Sequence, residues 1–210
     1  MPQLTSSSFF SDISSYYGRK LQEHGDTPSG VDWNSKSGQV LRFQQLEKII
    51  AHHHKRFSLS DIGCGYGAFL EFLAQNHEFS YLGVDISPNM IRVAEKRHQG
   101  KSEARFISGH EPDVESEYCV ASGIFNVRLD HSDRNWSDYL YHMLEVMNKF
   151  TKTGFAFNCL SNYSDEDKRR NDLFYADPCE LFDHCKNSYS QNVTLLHDYG
   201  LYEFTILVRK

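Results

Sequence analysis

No apolar run in this chain of 210 residues approaches the roughly 20 that a membrane-spanning helix needs. The polar start from Met1 to Ser8 has neither the basic flank nor the apolar stretch of a secretory signal. A cytoplasmic protein with no membrane partner is the expectation. Cysteine is scarce: there are five, an odd number with no Cys-x-x-Cys pair, which argues against a disulfide framework. Cys119 and Cys159 fall in apolar strand candidates, Cys64 in a glycine-rich turn, and Cys179 and Cys185 in a late helix. A metal-binding pattern is missing too, because His52, His53 and His54 follow one another and would project about 100° apart on a helix end. Basic residues are outnumbered, with 22 Lys and Arg against 28 Asp and Glu and a net charge of −6. A nucleic-acid footprint needs clustered cations to neutralise phosphates. The longest basic cluster, Lys168-Arg169-Arg170, directly follows Asp165-Glu166-Asp167 and reads as a solvated helix start. What remains, 40% hydrophobic and 24% charged, is the composition of one soluble domain large enough for a substantial core.

The richest segment is Ser60-Asp61-Ile62-Gly63-Cys64-Gly65-Tyr66-Gly67. Before it, Phe57 to Ile62 alternates as a short buried strand; after it, Ala68 to Leu73 carries a helical apolar face. Glycines at such a turn admit unusual φ/ψ angles and let a ligand approach the backbone, and the helix start offers free N–H groups to an anion. Gly63, Gly65 and Ala68 also satisfy the G-x-G-x-x-G/A pattern of dinucleotide sites, so the glycines alone leave two ligands open. Asp61 separates them. A pyrophosphate pressed against the turn gains nothing from a carboxylate there, whereas a sulfonium carrying an ammonium group does. The next strand, Phe79 to Asp85, ends in another acid, suited to a ribose diol, and Ser87 with Pro88 caps the following helix.

Through Asp61-Ile62-Gly63-Cys64-Gly65-Tyr66-Gly67, Gly83-Val84-Asp85-Ile86-Ser87-Pro88 and Tyr118-Cys119-Val120-Ala121-Ser122-Gly123-Ile124-Phe125-Asn126, the chain resembles the class I S-adenosylmethionine (SAM)-dependent methyltransferases of small-molecule type over roughly residues 38 to 210. The resemblance implies that Asp61, Gly63, Gly65 and Gly67 hold the methionine part, that Asp85 holds the ribose, that Cys64 and Ile86 beside them also contact the cofactor, and that Ser122 to Asn126 face the methyl group. Family members often carry Gly-Asp after the third strand, the acid accepting from adenine. This chain reads Gly109-His110-Glu111, so His110, Glu111 or a neighbouring backbone group takes that place. The Asn/Asp-Pro-Pro-Tyr type sequence of base-modifying methyltransferases is also missing; Ser122-Gly123-Ile124-Phe125 stands there, which favours a small-molecule acceptor.

Strand candidates at 57–62, 79–85, 104–108, 118–123 and 154–160 alternate with helices at 67–76, 88–99 and 136–150. Asn192 to His197 and Leu201 to Val208 are separated too briefly for a parallel crossover and must form an antiparallel hairpin. The expected fold is α/β: a Rossmann-like seven-stranded, mostly parallel sheet with helices on both faces and a C-terminal antiparallel β-hairpin. One domain is expected, with residues 1–37 as an N-terminal helix and lid segment on a SAM-binding core of 38–210. Phe9 to Lys20 forms a helix in this reading, and the turn-rich His24 to Asn34 brings Trp33 over SAM or the acceptor. Gln39 to His52 is an amphipathic helix whose turns are marked by Val40, Phe43, Leu46 or Glu47, and Ile50. Arg42, on another face, is placed either to pair with the methionine carboxylate or to make an ordinary surface ion pair. Tyr16, Tyr17, Asn126, Tyr163 and Tyr175 are the acceptor-pocket candidates. Bases are needed only if the acceptor is protonated, and His110, His131 and His197 are the candidates. The expected activity is in-line methyl transfer from SAM to O, N or S of a small molecule. A SAM-binding partner or sensor without methyl transfer is the alternative, and a nicotinamide dehydrogenase comes third.

Overall fold

The structure, a computed structural model, describes residues 7–50 and 56–210, without the side chains of Ser7 and Ser8. The histidine run at 52–54, the end of the helix expected to His52, and Met1 to Ser6 lie outside the described residues.

Seven strands form one sheet. They are β1 (Phe57–Ile62), β2 (Phe79–Asp85), β3 (Ala104–Ser108), β4 (Ser116–Ala121), β5 (Thr151–Leu160), β6 (Asn192–Leu196) and β7 (Glu203–Arg209). Their order is β3-β2-β1-β4-β5-β7-β6. The first five pair in parallel, and β7 runs antiparallel between β5 and β6, as the short connection requires. The helices are α1 (Ser7–His24), α2 (Lys36–Glu47), α3 (Ala68–Leu73), α4 (Pro88–Arg97), α5 (Asp133–Lys149) and α6 (Pro178–Ser188). Among the described residues no helix is long and apolar enough to cross a membrane.

Local chemistry sets the boundaries. Ser87 Oγ accepts from Met90 N at 3.4 Å with Pro88 at the first helical position of α4. Asp177 accepts from the amides of Cys179 (2.8 Å) and Glu180 (3.1 Å) to start α6. Ser132 Oγ accepts from Asn135 N at 3.3 Å, so α5 begins before the position 136 that its apolar period suggests. β4 ends at Ala121 rather than 123, because Gly123 turns into the left-handed region at φ 81°. α2 buries Gln39, Phe43, Gln45 and Leu46, while Val40 is only half-buried, and it tightens into a 3-10 turn at Lys48–Ile50. The run at 165–170 gives only a 3-10 turn, Glu166–Lys168, not a longer helix.

The sheet is covered on both faces. Trp136, Leu140 and Met143 of α5, with Phe9 and Ile13 of α1, pack on Cys119, Phe155 and Phe157. Phe43 and Leu46 of α2, with Phe69 and Leu73 of α3, pack on Leu59, Val120 and Leu207 on the other side. All five cysteines are free, and only Cys179 is exposed.

Candidate functional site

A cavity opens at the C-terminal ends of β1, β2 and β4, where the strand order reverses. Connections leave such a point toward opposite faces, and the crevice between them is where open α/β sheets take ligands. Its floor is the glycine turn. Gly63 stands at φ 74°, and a Cβ there would fall 2.1 Å from Ile124 Cγ2, so both the backbone and the packing demand glycine. The amides of Gly63 and Cys64 donate to Val84 O at 2.7 and 3.1 Å, stitching the turn to the end of β2. Asp85, the last residue of β2, completes the stitch: Oδ2 accepts from Gly65 N at 2.9 Å and Oδ1 from Ser87 N at 2.8 Å.

Asp61 is buried at 2% exposure. Its Oδ2 accepts from the Tyr81 hydroxyl at 2.6 Å. Burial pushes its carboxyl up to about 7, opposed by the Tyr81 bond and reinforced by the neighbouring Asp85 charge. Burial likewise lifts Asp85 to about 6 against the two amides that hold it. Two acids thus stand at the cavity wall in a setting that withholds water from their charged forms, and a cationic or hydroxyl-donating ligand would favour ionisation.

Across the cavity the chain leaves β4 through Ser122 and Gly123. Ser122 Oγ is buried with no hydrogen-bond partner among the described residues. A buried hydroxyl without a partner, lining a cavity floored by glycines, fits a closely held polar ligand such as SAM. Gly123 N donates to Asn158 Oδ1 at 3.0 Å, and Asn158 Nδ2 donates to Glu203 Oε2 at 2.6 Å. Glu203 also receives Arg42, Nε to Oε2 at 2.8 Å and Nη2 to Oε1 at 2.5 Å. Trp33 lies against the Arg42 guanidinium, 4.0 Å from ring centroid to Cζ, and a Cβ on Gly123 would meet its ring at 2.5 Å.

Of the residues singled out from the sequence, Trp33, Arg42, Asp61, Gly63, Cys64, Gly65, Asp85, Ile86, His110, Ser122, Gly123, Tyr17 and Asn126 line this one cavity. Gly67 stands behind the turn, close to His98. Arg42 is already held by a carboxylate of the protein, the ion pair that is the alternative to a ligand carboxylate, but Glu203 makes that pair buried rather than a surface one. Asn126 Oδ1 accepts from Leu160 N at 3.0 Å, so a ligand would meet its amide nitrogen. His110 stacks on Phe10 at 4.6 Å, while Glu111 turns away between His110 Nε2 (3.6 Å) and Lys149 Nζ (3.8 Å). Tyr16 stands one ring behind Tyr17 and donates to Asp32 Oδ2 at 2.9 Å.

Tyr163, Tyr175, His131 and His197 are not brought to the cavity. Tyr163 is 67% exposed beside His197, at 5.9 Å between rings, and the Tyr175 hydroxyl accepts from Arg170 N at 2.8 Å. His131 packs on Phe9 at 4.5 Å and faces Asp12 at 3.6 Å. For the two tyrosines the cause is backbone pairing after β5. Asp172 O accepts from the amides of Arg128 (2.9 Å) and Leu129 (3.0 Å), and Phe174 N donates to Asn126 O at 2.8 Å. That register turns Arg170 and Leu173 toward the cavity and the tyrosines outward. Arg170 is therefore a wall residue, not part of a solvated helix start.

The sequence reading missed Asp32, Gln39, Tyr139, Arg170 and Glu203, all on the wall. A signal existed for one of them: Glu203 and its partner Asn158 are polar residues inside apolar strand runs, Glu203-Phe204-Thr205-Ile206-Leu207-Val208 and Phe155-Ala156-Phe157-Asn158-Cys159-Leu160.

Residues 60–149 match the family described as "Methyltransferase domain". A Mycobacterium tuberculosis protein named "Putative methyltransferase Rv1506c" is 54% identical over 155 residues, covering 73% of this chain and 93% of that protein. Among solved structures, the DhpI-SAM-HEP complex superposes with a TM-score of 0.69 at 14% identity, covering 98% of this chain and 100% of the other. N-methyltransferase NodS from Bradyrhizobium japonicum WM9, in complex with S-adenosyl-L-homocysteine (SAH), gives 0.65 at 16% identity over 94% and 97%.

Proposed function

Since the chain belongs to the class I SAM-dependent methyltransferases, we propose that it methylates O, N or S of a small molecule enclosed in the cavity beneath Trp33. The carrying observation is that one cavity joins the glycine turn and its two acids to a mixed wall of Tyr17, Asn126, Val127, Arg170 and Leu173, roofed by the segment around Trp33. An acceptor that fits under such a roof is a small molecule rather than a duplex or a protein surface. In this reading residues 1–37 are the lid segment and 38–210 the core of one domain.

When bound, SAM supplies a methyl group already activated on a sulfonium, so holding the acceptor in line with it can carry much of the rate. Asp85 accepts from the ribose hydroxyls while still tied to Gly65 and Ser87, which fixes its direction. Asp61 faces the cationic methionine end, its orientation set by Tyr81. Arg42 takes the carboxylate end, Ser122 Oγ gains the partner it lacks, and Ile86 and His110 bound the adenine side. Tyr17, Asn126 and Arg170 orient the acceptor's polar groups, and Val127 and Leu173 contact its apolar body. Trp33 excludes water from the reacting pair.

The test is to incubate the purified chain with SAM and a panel of phenols, carboxylic acids, amines and thiols, and to follow SAH. SAH formed with one class of small acceptor is the expected outcome. Turnover only with nucleic acid or protein would overturn the acceptor class.

A further inference from the structure

Glu203 lies on the terminal hairpin, far in sequence from the glycine turn, yet it is 2% exposed and three donors converge on its two oxygens. Buried ion pairs add little stability compared with apolar packing, because the cost of removing two charges from water offsets their attraction. Their bonds are directional, however, and here they run to both sides of the cavity. Toward the lid, Glu203 grips the guanidinium fork of Arg42, whose face lies 4.0 Å from the Trp33 ring centroid. Toward the sheet it grips Asn158, its diagonal neighbour in the β5–β7 register, where Leu160 pairs with Glu203 and Asn158 with Thr205. Asn158 then has one orientation available, with Nδ2 on Glu203 and Oδ1 on Gly123 N. The two branches meet again where Trp33 covers Gly123, the residue after the unpartnered Ser122 hydroxyl.

We propose that Glu203 is a positioning residue for the cofactor. Through Arg42 it holds Trp33 closed, and through Asn158 it holds the Ser122-Gly123 turn, so one carboxylate sets both the roof and the far wall. The proposal rests on SAM being the ligand of this cavity. Glu203→Gln has nearly the same shape but only one oxygen to accept with, so its amide N–H₂ meets a donor in either orientation: Arg42 Nη2 in place of Oε1, or both Arg42 Nε and Asn158 Nδ2 in place of Oε2.

The experiment is a double-mutant cycle of Glu203→Gln with Trp33→Ala, read as the Kd for SAH by calorimetry and as tryptophan emission, with circular dichroism as the check on folding. E203Q is expected to weaken SAH about tenfold, as losing a charge-assisted bond does, and to red-shift the emission component that W33A removes. The double variant should lose less than the product of the two single losses, since both act through one element. Multiplicative losses, or unchanged SAH affinity in folded E203Q, would overturn the proposal. If E203Q does not fold, Arg42→Lys replaces it in the same cycle under the same two criteria. If the wild-type chain binds neither SAM nor SAH, the ligand reading has failed by itself. Emission of folded E203Q, or of folded R42K in its place, then decides the positioning role: a red shift supports it and an unshifted spectrum overturns it.

Discussion

At the β1–β2 end of the cavity the walls are largely backbone. Val84 O, the amides of Gly63, Cys64, Gly65 and Ser87, and the short carboxylate of Asp85 are locked by sheet register and by bonds of 2.7 to 3.1 Å. At the opposite end the walls are side chains from three separate segments: Tyr17 from α1, Asp32 and Trp33 from the loop before α2, and Arg170 and Leu173 from the segment after β5. The loop there is pinned by contacts between side chains, Asp32 to Lys20 Nζ at 2.8 Å and to Tyr16 at 2.9 Å. A backbone-built end holds one geometry for a ligand common to a family. An end built from side chains on loops can be changed residue by residue without disturbing the sheet.

The sharpest way to break that contrast is to attack the backbone end through Asp85. Asp85→Asn keeps the volume but puts an amide N–H₂ against Gly65 N or Ser87 N and removes the charge that would meet the ribose. Two charge-assisted bonds at about 1.5–3 kcal/mol each predict at least about 100-fold weaker SAM binding. Calorimetry measures it, and a change under threefold would mean that Asp85 serves only the turn.

A matched pair of glycine substitutions compares the two ends directly. Gly63→Ala places a methyl 2.1 Å from Ile124 Cγ2 at φ 74°, and Gly123→Ala places one 2.5 Å from Trp33 at φ 81°. The backbone penalties are alike, about 1–2 kcal/mol. Ile124 packs against the buried core, so Gly63→Ala also overpacks and should cost about 2–5 kcal/mol of stability in denaturant melts. Trp33 is carried by the loop before α2 and is only partly buried, so Gly123→Ala should lose less stability but still lose SAM affinity. Equal melts for the two variants would show the lid to be as fixed as the sheet.

Proton linkage gives the next largest effect. Folded Asp61 and Asp85 hold protons up to about 7 and about 6, against 3.8 for the free side chain. Between about pH 4 and 7 the folded state therefore keeps protons that the unfolded state has released. The ligand-free protein should lose stability as pH rises through this window and level off above it. A ligand that prefers the carboxylates ionised reverses the slope. SAM affinity should rise from pH 5 to 7.5, by up to about tenfold per unit where one proton is released on binding. Affinity flat across that range would detach both acids from the ligand.

The same contrast explains what the sequence could tell. Strand-to-helix turns with Asp61, Gly63, Gly65 and Asp85 are local: each position follows from neighbours a few residues away, and so do the caps at Ser87 and Pro88. The hairpin was legible because a short connection permits only an antiparallel pair. Tyr163 and Tyr175 misled because aromatic and polar composition does not say which way a loop faces. Asp172 O, bonded to Arg128 N and Leu129 N, decided that, and no local pattern foretells the pairing. Arg170 was hidden for the same reason inside a run of mixed charge.

Arg170 also carries the smallest predicted effect and the finest test of where the two ends divide. Its Nε and Nη2 bond Asp172 at 3.1 and 2.5 Å, and its Nη1 stands 3.9 Å from Asp32 Oδ2, so much of its charge is already matched within the rim. Half-exposed pairs of this kind contribute about 0–1 kcal/mol, so Arg170→Ala should leave the fold nearly unchanged. For an acceptor held through one polar contact on this wall, the loss should be about three- to tenfold in KM, with the Kd for SAM unaltered. A shift in SAM affinity instead would mean that the rim at Asp32 and Arg170 closes over the cofactor, and that lid and loop serve both ligands at once.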